Sequence, residues 1–167
     1  MGAAACEARR SFFLNMEIKD PLICPLQVFM SHRVQLGDVL AGLLEFTGPA
    51  RLTVSTFSCG EEFLMRLHKL KQKGLVLSAT LYADMKAAEK TARIRTMMMS
   101  VYDEFYLCAN HSKVMLVEGE RMTVCVLSSQ NQTRGNRMES YVLLRSPEAE
   151  EIVRTAFLNL KTASPWK

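Results

Sequence analysis

The feature that most limits the fold is a regular succession of strand-like and helix-like stretches starting at residue 52. Residues 52–57 are rich in β-branched side chains, whereas residues 60–73 carry apolar side chains at helical spacing. Acidic residues open this helix, lysines close it and Gly74 follows, which is the charge order that a helix dipole favours. Residues 75–82 then predict a mostly apolar strand of the kind that is buried on both faces.

The rest of the chain adds a helix before the strand–helix–strand stretch 52–82 and a further helix and several strands after it. Apolar residues at helical spacing over 36–46 end at Gly48-Pro49, a pair that stops a helix and turns the chain. Strand–helix–strand–helix–strand followed by several strands predicts an α/β domain, a mixed sheet with helices on both faces. The predicted strands cover 52–57, 75–82, 101–108, 113–118, 122–128 and 140–145, and the predicted helices cover 36–46, 60–73, 85–99 and 147–160.

The N-terminal region differs from this pattern. Residues 11–30 are apolar but contain Pro21 and Pro25, which argues against a helix and favours an extended segment packed along the body. We therefore divide the chain into an N-terminal extended segment, 1–30, and a single domain, 31–167. A chain of 167 residues is long enough for a core without disulfides or metal.

Composition indicates a soluble globular protein, with 49% hydrophobic and 23% charged residues. No apolar run approaches about 18 residues, so no membrane span is predicted. The five cysteines include no CxxC pair and have no zinc spacing, so we interpret them as reduced thiols in a cytoplasmic protein without metal or cofactor. The net charge of +4 is compatible with a polyanionic partner but does not require one.

The candidate chemistry is concentrated in residues 111–139, HSKVMLVEGERMTVCVLSSQNQTRGNRME. Histidine can be a nucleophile or proton carrier, lysine binds phosphate oxygens, and a carboxylate can orient a histidine. This combination suits attack on a phosphodiester, and the alternative is an ordinary hairpin with an exposed histidine at its end. The residues in question are His111, Lys113, Ser129, Asn131 and Glu139.

These residues resemble the motifs of the phospholipase D superfamily. His111-Ser112-Lys113, with Glu118 after four further residues, is similar to HxK(x)4D, and residues 128–131 are similar to the family's small-Ser-x-Asn. Glu139 stands where the family has its late glutamate, and the resemblance extends loosely over residues 52–145. It implies a phospholipase D-like fold and a metal-independent phosphodiester transfer through a covalent phosphohistidine on His111.

The resemblance also implies a role for each remaining residue of the set. Lys113 and Asn131 would hold the phosphoryl oxygens, Ser129 would add a hydroxyl contact, and Glu139 would orient the imidazole. Glu118 departs from the family's aspartate, a supporting residue, and this change puts activity in doubt only mildly.

Catalysis in this family takes two HxK motifs, whereas this chain has one. His32 and His68 have no lysine two residues further on. We therefore predict a homodimer that brings two copies of His111 face to face, one as nucleophile and the other as proton donor.

The favoured function is a nuclease that cleaves DNA or RNA. Arg134 and Arg137 are candidates for binding substrate phosphates, although a solvated loop explains them equally well. A phospholipase with an acyl-chain pocket is the second enzymatic hypothesis. The rival from another class is a nucleic-acid-binding module that keeps the fold without cleavage, and the glutamate at position 118 favours it.

Strand periodicity predicts how the site residues meet. A hairpin centred on Arg121 would place Lys113 opposite Ser129 and His111 opposite Asn131, all on one face. A tight turn at Gly119-Glu120 would scatter the four over both faces. We therefore predict a longer turn, with a loop or bulge over 119–122.

Overall fold

The computed structural model describes residues 18–87 and 92–163, which form a seven-stranded mixed sheet with helices on both faces. This is the predicted α/β class. The strands are β1 (Leu26–Ser31), β2 (Ala50–Thr56), β3 (Val76–Asp84), β4 (Glu104–Cys108), β5 (Val114–Gly119), β6 (Thr123–Ser128) and β7 (Glu139–Leu144). The helices are α1 (Leu36–Thr47), α2 (Glu61–Gln72), α3 (Arg95–Val101) and α4 (Pro147–Ala163).

The strand order across the sheet is β1-β7-β6-β5-β2-β3-β4. Strands β2, β3 and β4 are parallel, while β5, β6, β7 and β1 follow one another in antiparallel pairs outward from β2. As a result, the carboxyl ends of β1, β2, β3, β4 and β6 share one edge of the sheet with the amino ends of β5 and β7. We call this edge the motif edge.

The two faces of the sheet are covered differently. Helices α1, α2 and α3 pack on one face and bury inward side chains such as Val54, Met115 and Val126. On the other face, Phe157 of α4 stacks on Tyr82 with ring centroids 5.3 Å apart. No helix within 18–87 or 92–163 is long and apolar enough to cross a membrane.

The second half of the predicted N-terminal extended segment contains β1, an edge strand. It pairs antiparallel with β7, and Phe29 stacks on Tyr141 with ring centroids 4.9 Å apart. Its alternate side chains, Leu26, Val28 and Met30, lie exposed on the face that carries α4. Residues 1–17 lie outside the described ranges, and the division of the chain at residue 30 stays a prediction.

The predicted helix over 85–99 is wrong at residues 85–87 and 92–94. Strand β3 continues to Asp84, short 3₁₀ turns follow over 85–87 and 92–94, and α3 begins only at Arg95. The Asp84 carboxylate accepts the Lys86 N–H at 2.7 Å, a local bond that competes with helix formation. Residues 88–91 lie outside the described ranges.

The start of the predicted strand 101–108 is also wrong, because α3 extends to Val101 and β4 begins at Glu104. The Tyr102 N–H donates to the Met98 carbonyl at 2.9 Å, which completes the last turn of the helix. The helix therefore takes up residues that the apolar pattern assigned to the strand.

The β5–β6 hairpin has a tighter turn than predicted. A two-residue turn at Glu120-Arg121 closes it, with the Gly119 N–H donating to the Met122 carbonyl at 3.0 Å. The Ser128 N–H donates to the Lys113 carbonyl at 2.9 Å, so Lys113 lies opposite Ser128. The prediction that Lys113 opposes Ser129 is therefore wrong by one residue, and side-chain alternation directs the two to opposite faces.

Contacts with the end of α1 explain this register. The backbone N–H of Arg121 donates to the Thr47 carbonyl at 3.1 Å, and that of Glu120 donates to the Pro49 carbonyl at 3.2 Å. A Cβ atom on Gly119 would stand 2.4 Å from the Thr47 carbonyl oxygen, so only glycine permits this close approach. The length of the turn is thus determined by its contacts with residues 47–49, which the strand pattern of the sequence does not reveal.

Candidate active site

All five side chains of the predicted site lie at the motif edge. His111 and Lys113 lead into β5, Ser129 and Asn131 follow β6, and Glu139 begins β7. These three strands are neighbours in the sheet, so the backbone positions span about 10 Å across it. The fold thus brings together residues that are up to 28 positions apart in the sequence.

His111 is exposed, and its ring lies beside Phe57 and Lys113. The ring centroid lies 5.1 Å from that of Phe57, at a tilt of 56°. The Lys113 ammonium lies 3.3 Å from His111 Nδ1 and donates to the His111 carbonyl at 2.8 Å. Because an ammonium group only donates, Nδ1 is the acceptor in this arrangement and the neutral ring carries its proton on Nε2.

Asn131 reaches the same place from the other side. Its Oδ1 accepts the Phe57 N–H at 3.2 Å and shares the Thr56 hydroxyl proton, at 3.3 Å, with the Ser58 carbonyl, at 2.9 Å. These two bonds fix the amide so that its NH₂ group remains to donate to a ligand. Asn131 and His111 therefore both adjoin Phe57, because the chain leaves the sheet after β6 and turns back towards β2.

Ser129 and Glu139 form a separate pair at the start of β7. The Ser129 hydroxyl donates to the Glu139 carboxylate and accepts the Ser140 N–H at 3.0 Å. Among the residues that the structure describes, no hydrogen bond joins Glu139 to His111. The predicted site therefore consists of two groups, one around Phe57 and one on β7.

The loop after β6 is anchored by two buried glutamines that the sequence analysis did not single out. Gln130 Oε1 accepts the Leu36 N–H and the Tyr141 hydroxyl, both at 2.7 Å. Gln130 Nε2 donates to Gln35 Oε1 at 2.7 Å. These bonds tie the loop to the beginning of α1 and to β7.

Gln132 anchors the loop on its other side. Its Oε1 accepts the Tyr102 hydroxyl at 2.8 Å and the Cys59 thiol at 3.0 Å, while its buried Nε2 lacks a hydrogen-bond partner among the described residues. Burial raises the pKa of Cys59 to about 12, so this thiol stays a neutral donor. The only sequence signal for either glutamine was their alternation around Asn131.

The two predicted arginines lie in the same loop. Arg137 is exposed, and Arg134 is 72% exposed, with Nη1 3.3 Å from Glu62 Oε2. Arg134 borders an open cleft of about 430 Å³ that extends away from the site between the loop and the first turns of α1 and α2. Charged and polar side chains line it: His32, Arg33, Gln35, Asp38, Glu62, Arg66, Arg134 and Asn136.

Glu118 lies far from this site. It is five residues beyond Lys113 towards the opposite end of β5, and its carboxylate pairs with Arg154 of α4. At about 3.3 Å per residue this is roughly 16 Å along the strand, so Glu118 joins a helix to the sheet. Within residues 18–87 and 92–163, no group of three His, Cys, Asp or Glu side chains is placed to hold a metal ion.

Comparison with known proteins gives no match in sequence but clear matches in structure. No protein-family model and no curated protein matches the chain. NucT from Helicobacter pylori superposes with a TM-score of 0.63 at 10% identity, covering 83% of this chain and 98% of that one. TrmBL2, an archaeal chromatin protein, superposes with a TM-score of 0.55 at 8% identity, covering 84% of this chain and 53% of that one.

Nuc from Salmonella typhimurium, described as a phospholipase D family member, superposes with a TM-score of 0.61 at 16% identity. The superposition covers 83% of this chain and 95% of Nuc. The order of strands and helices and these neighbours agree with the motif resemblance. The chain therefore has the fold of the phospholipase D superfamily.

Proposed function

We propose that this protein is a metal-independent phosphodiesterase that cleaves DNA or RNA, with His111 as nucleophile. One observation carries the proposal: at the motif edge an exposed imidazole lies beside the Lys113 ammonium and the Phe57 ring, and the Asn131 amide bonds to the backbone of the same Phe57. A cation and an amide donor can stabilise the charge on phosphoryl oxygens while a neutral imidazole attacks phosphorus.

The nucleophile needs a change of hydrogen bonds before it can attack. With Lys113 donating to Nδ1, the Nε2 atom of the neutral ring bears a proton and has no lone pair to offer. A substrate phosphate would attract the Lys113 ammonium to its oxygens and release Nδ1. The ring proton then resides on Nδ1, and the Nδ1–H group donates a hydrogen bond to the Glu139 carboxylate, which gives up its bond with Ser129. Nε2 now carries the lone pair and becomes the attacking atom.

The reaction then proceeds by two displacements. The His111 Nε2–phosphorus bond forms as the bond from phosphorus to the leaving oxygen breaks, and a second imidazole donates the proton that this oxygen takes up. Water next attacks phosphorus, the Nε2–phosphorus bond breaks, and the second imidazole accepts the proton of the water. A single imidazole cannot occupy both sides of an in-line displacement, so the chain must act as a homodimer with two facing copies of His111.

An exposed apolar surface beside the site fits a second copy. Cross-strand pairs place Leu26 beside Leu144 and Val28 beside Val142, and Val142 in turn pairs with Leu127 of β6. Directly paired residues share a face, so these side chains form one continuous surface. We call it the apolar sheet patch, and its residues are Leu26, Val28, Met30, Leu127, Val142 and Leu144.

The apolar sheet patch adjoins the site. Met30 and Val28 are each 67% exposed, and Met30 pairs with Ser140, whose N–H bonds to the Ser129 hydroxyl. Contiguous exposed apolar surface of this kind is typical of protein interaction sites. Burying it against its own copy about a two-fold axis near Met30 would bring the two motif edges close together, as the chemistry requires.

Nucleic acid is the substrate that the charges favour. The open cleft that Arg134 borders is lined by charged and polar groups, which suits a phosphate backbone better than an acyl chain. Two of its arginines, Arg66 and Arg134, pair with Asp38 and Glu62, so a bound phosphate would compete with these carboxylates. A phosphatidylserine synthase from Haemophilus influenzae shares the fold at 15% identity, covering 86% of this chain and 39% of that one, so a lipid substrate is the second enzymatic hypothesis.

The rival function is binding of nucleic acid without cleavage. The structure of TrmBL2, whose fold this chain shares, is described as showing a novel mode of DNA binding, and Glu118 departs from the family motif. Incubation of plasmid and single-stranded DNA and RNA with the protein in EDTA separates the hypotheses, with His111→Ala as control. We expect cleavage that resists EDTA and disappears in the variant. A gel shift without cleavage, both for the wild type and for His111→Ala, would refute the hypothesis that the protein is an enzyme.

A further inference from the structure

We propose that Asn110 and Ser112, the two neighbours of His111 in the chain, are positioning residues held by a directed chain of hydrogen bonds between β2 and β3. The inference rests on the proposed function, because its purpose is to hold His111 in place for attack. Neither residue belongs to the motif. They are joined by Ser55, Tyr82 and Asp84, which lie on the two strands behind the site.

The chain begins at Asp84, at the end of β3. Its buried carboxylate accepts the Asn110 N–H at 2.9 Å through Oδ2 and the Lys86 N–H at 2.7 Å through Oδ1. The Asn110 side chain is also buried, and its Nδ2 donates to the Tyr82 carbonyl at 3.3 Å. Asn110 is thus bound to β3 through both its backbone and its side chain.

The chain continues through Ser112 to β2. Asn110 Oδ1 accepts both the N–H and the hydroxyl of Ser112, at 3.0 and 2.5 Å. The Ser112 and Ser55 hydroxyl oxygens lie 2.6 Å apart, and Ser55 Oγ also accepts the Val114 N–H at 3.2 Å.

Only one set of proton positions satisfies these contacts. The Ser112 hydroxyl proton goes to Asn110 Oδ1, so the Ser55 hydroxyl must donate to Ser112. The amide of Asn110 is likewise fixed, because reversing it would set its NH₂ group against the N–H of Ser112. A network in which every proton has one place resists rotation of its side chains and strengthens each bond in it.

His111 is therefore held through its backbone on both sides, while its ring stays exposed and is free to meet a substrate. Attack on phosphorus depends on geometry, and a misplacement of about 1 Å can cost about 10²-fold in rate. The Ser112 hydroxyl lies at the exposed edge of the sheet and links the two strands. Its removal leaves the Ser55 donor without an acceptor and gives the 110–112 backbone freedom to shift.

The test uses Ser112→Ala, with Ser112→Thr as the conservative variant and Ser100→Ala, an exposed serine of α3, as the matched control. Ser112 is exposed, so the alanine variant is expected to fold and the added methyl group of threonine has room. We expect Ser112→Ala to lower kcat about 10- to 100-fold with KM within about twofold, and Ser112→Thr to restore most of kcat. Ser100→Ala should match the wild type.

A second readout does not depend on cleavage. Amide hydrogen exchange at Ser112 and Val114 should accelerate at least tenfold in Ser112→Ala and return towards the wild-type rate in Ser112→Thr. If the wild type cleaves no phosphodiester, the proposed function fails and the exchange rates alone decide this inference. Unchanged exchange in Ser112→Ala would overturn it. If the wild type does cleave, a Ser112→Ala variant with the same kcat as the wild type would overturn it as well.

Discussion

The two sides of the candidate site differ in how their side chains are held. On the β2–β3–β5 side, the residues next to His111 are bonded to the buried side chains of Ser55, Asn110 and Asp84. On the β6–β7 side, two buried glutamines anchor the loop backbone, but the Glu139 side chain bonds to the exposed Ser129, and the Arg134–Glu62 pair is exposed. The first arrangement suits a nucleophile that must not move. The second suits contacts that adapt to a substrate or to a second copy.

The largest effect is expected on the β6–β7 side, from a substitution that prevents a second copy from binding. Val28→Glu places a charge in the centre of the apolar sheet patch, and a charge is costly to bury in an apolar interface. We expect a monomer whose activity falls by up to about 10⁴-fold, because it lacks the second imidazole as proton donor. Light scattering over a dilution series, together with a cleavage assay, measures both quantities.

The matched control is Leu77→Glu, which alters another exposed apolar strand residue, near the opposite edge of the sheet; Leu77 is 57% exposed and Val28 67%. It should leave both mass and activity unchanged. A wild-type protein that is fully active as a monomer would disprove the homodimer.

Glu139→Gln removes the carboxylate proposed to orient His111 while retaining shape. We expect kcat to fall about 10³-fold, since an amide can no longer stabilise the imidazolium that forms during the reaction. KM should change little, because Glu139 is not expected to touch the phosphate. Glu120→Gln, in the turn at the opposite edge, serves as control, and equal rates for the two variants would exclude the role proposed for Glu139.

Lys113→Met tests the β2–β3–β5 side by removing the cation while roughly preserving the length of the side chain. The loss of one donor to the phosphoryl oxygens is expected to cost about 10² in kcat. Lys73→Met, at the exposed end of α2, provides the comparison. A Lys113→Met enzyme as fast as the Lys73→Met enzyme would remove Lys113 from the mechanism.

The smallest expected effect concerns Arg134, the exposed arginine beside the cleft. Arg134→Ala should raise KM about three- to tenfold with kcat unchanged, and it should flatten the dependence of KM on salt concentration, because one phosphate contact is lost. Arg121→Ala, in the distant hairpin turn, is the control. An identical salt dependence in the two variants would show that Arg134 belongs only to a solvated loop.

Much of the fold can be predicted from local sequence patterns, because apolar periodicity and the glycine and proline residues that end helices and strands act over a few residues. The predicted strand 52–57 and helix 60–73 differ from β2 and α2 by at most two residues at each end. The errors arise where distant contacts decide. The turn of the β5–β6 hairpin is set by its docking on Thr47, and β3 ends in a turn held by the Asp84 carboxylate.

The site divides in the same way. The motif predicted His111, Lys113 and Asn131 by residue type and spacing, and the fold brings His111 and Asn131 to Phe57, with Lys113 beside His111. It did not indicate Asn110 or Ser112, because their importance comes from Ser55 and Asp84, which are 57 and 26 residues away from their respective partners. No short pattern in the sequence connects such residues.

The most direct test of the account is to isolate the covalent intermediate. Labelled oligonucleotide is mixed in EDTA with excess protein, the reaction is quenched with alkali within one turnover, and the labelled residue is located by mass spectrometry. The account predicts an acid-labile, alkali-stable phosphoramidate on His111 that is absent from His111→Asn. Cleavage without any protein-bound phosphate, or a label that persists in His111→Asn, would contradict it.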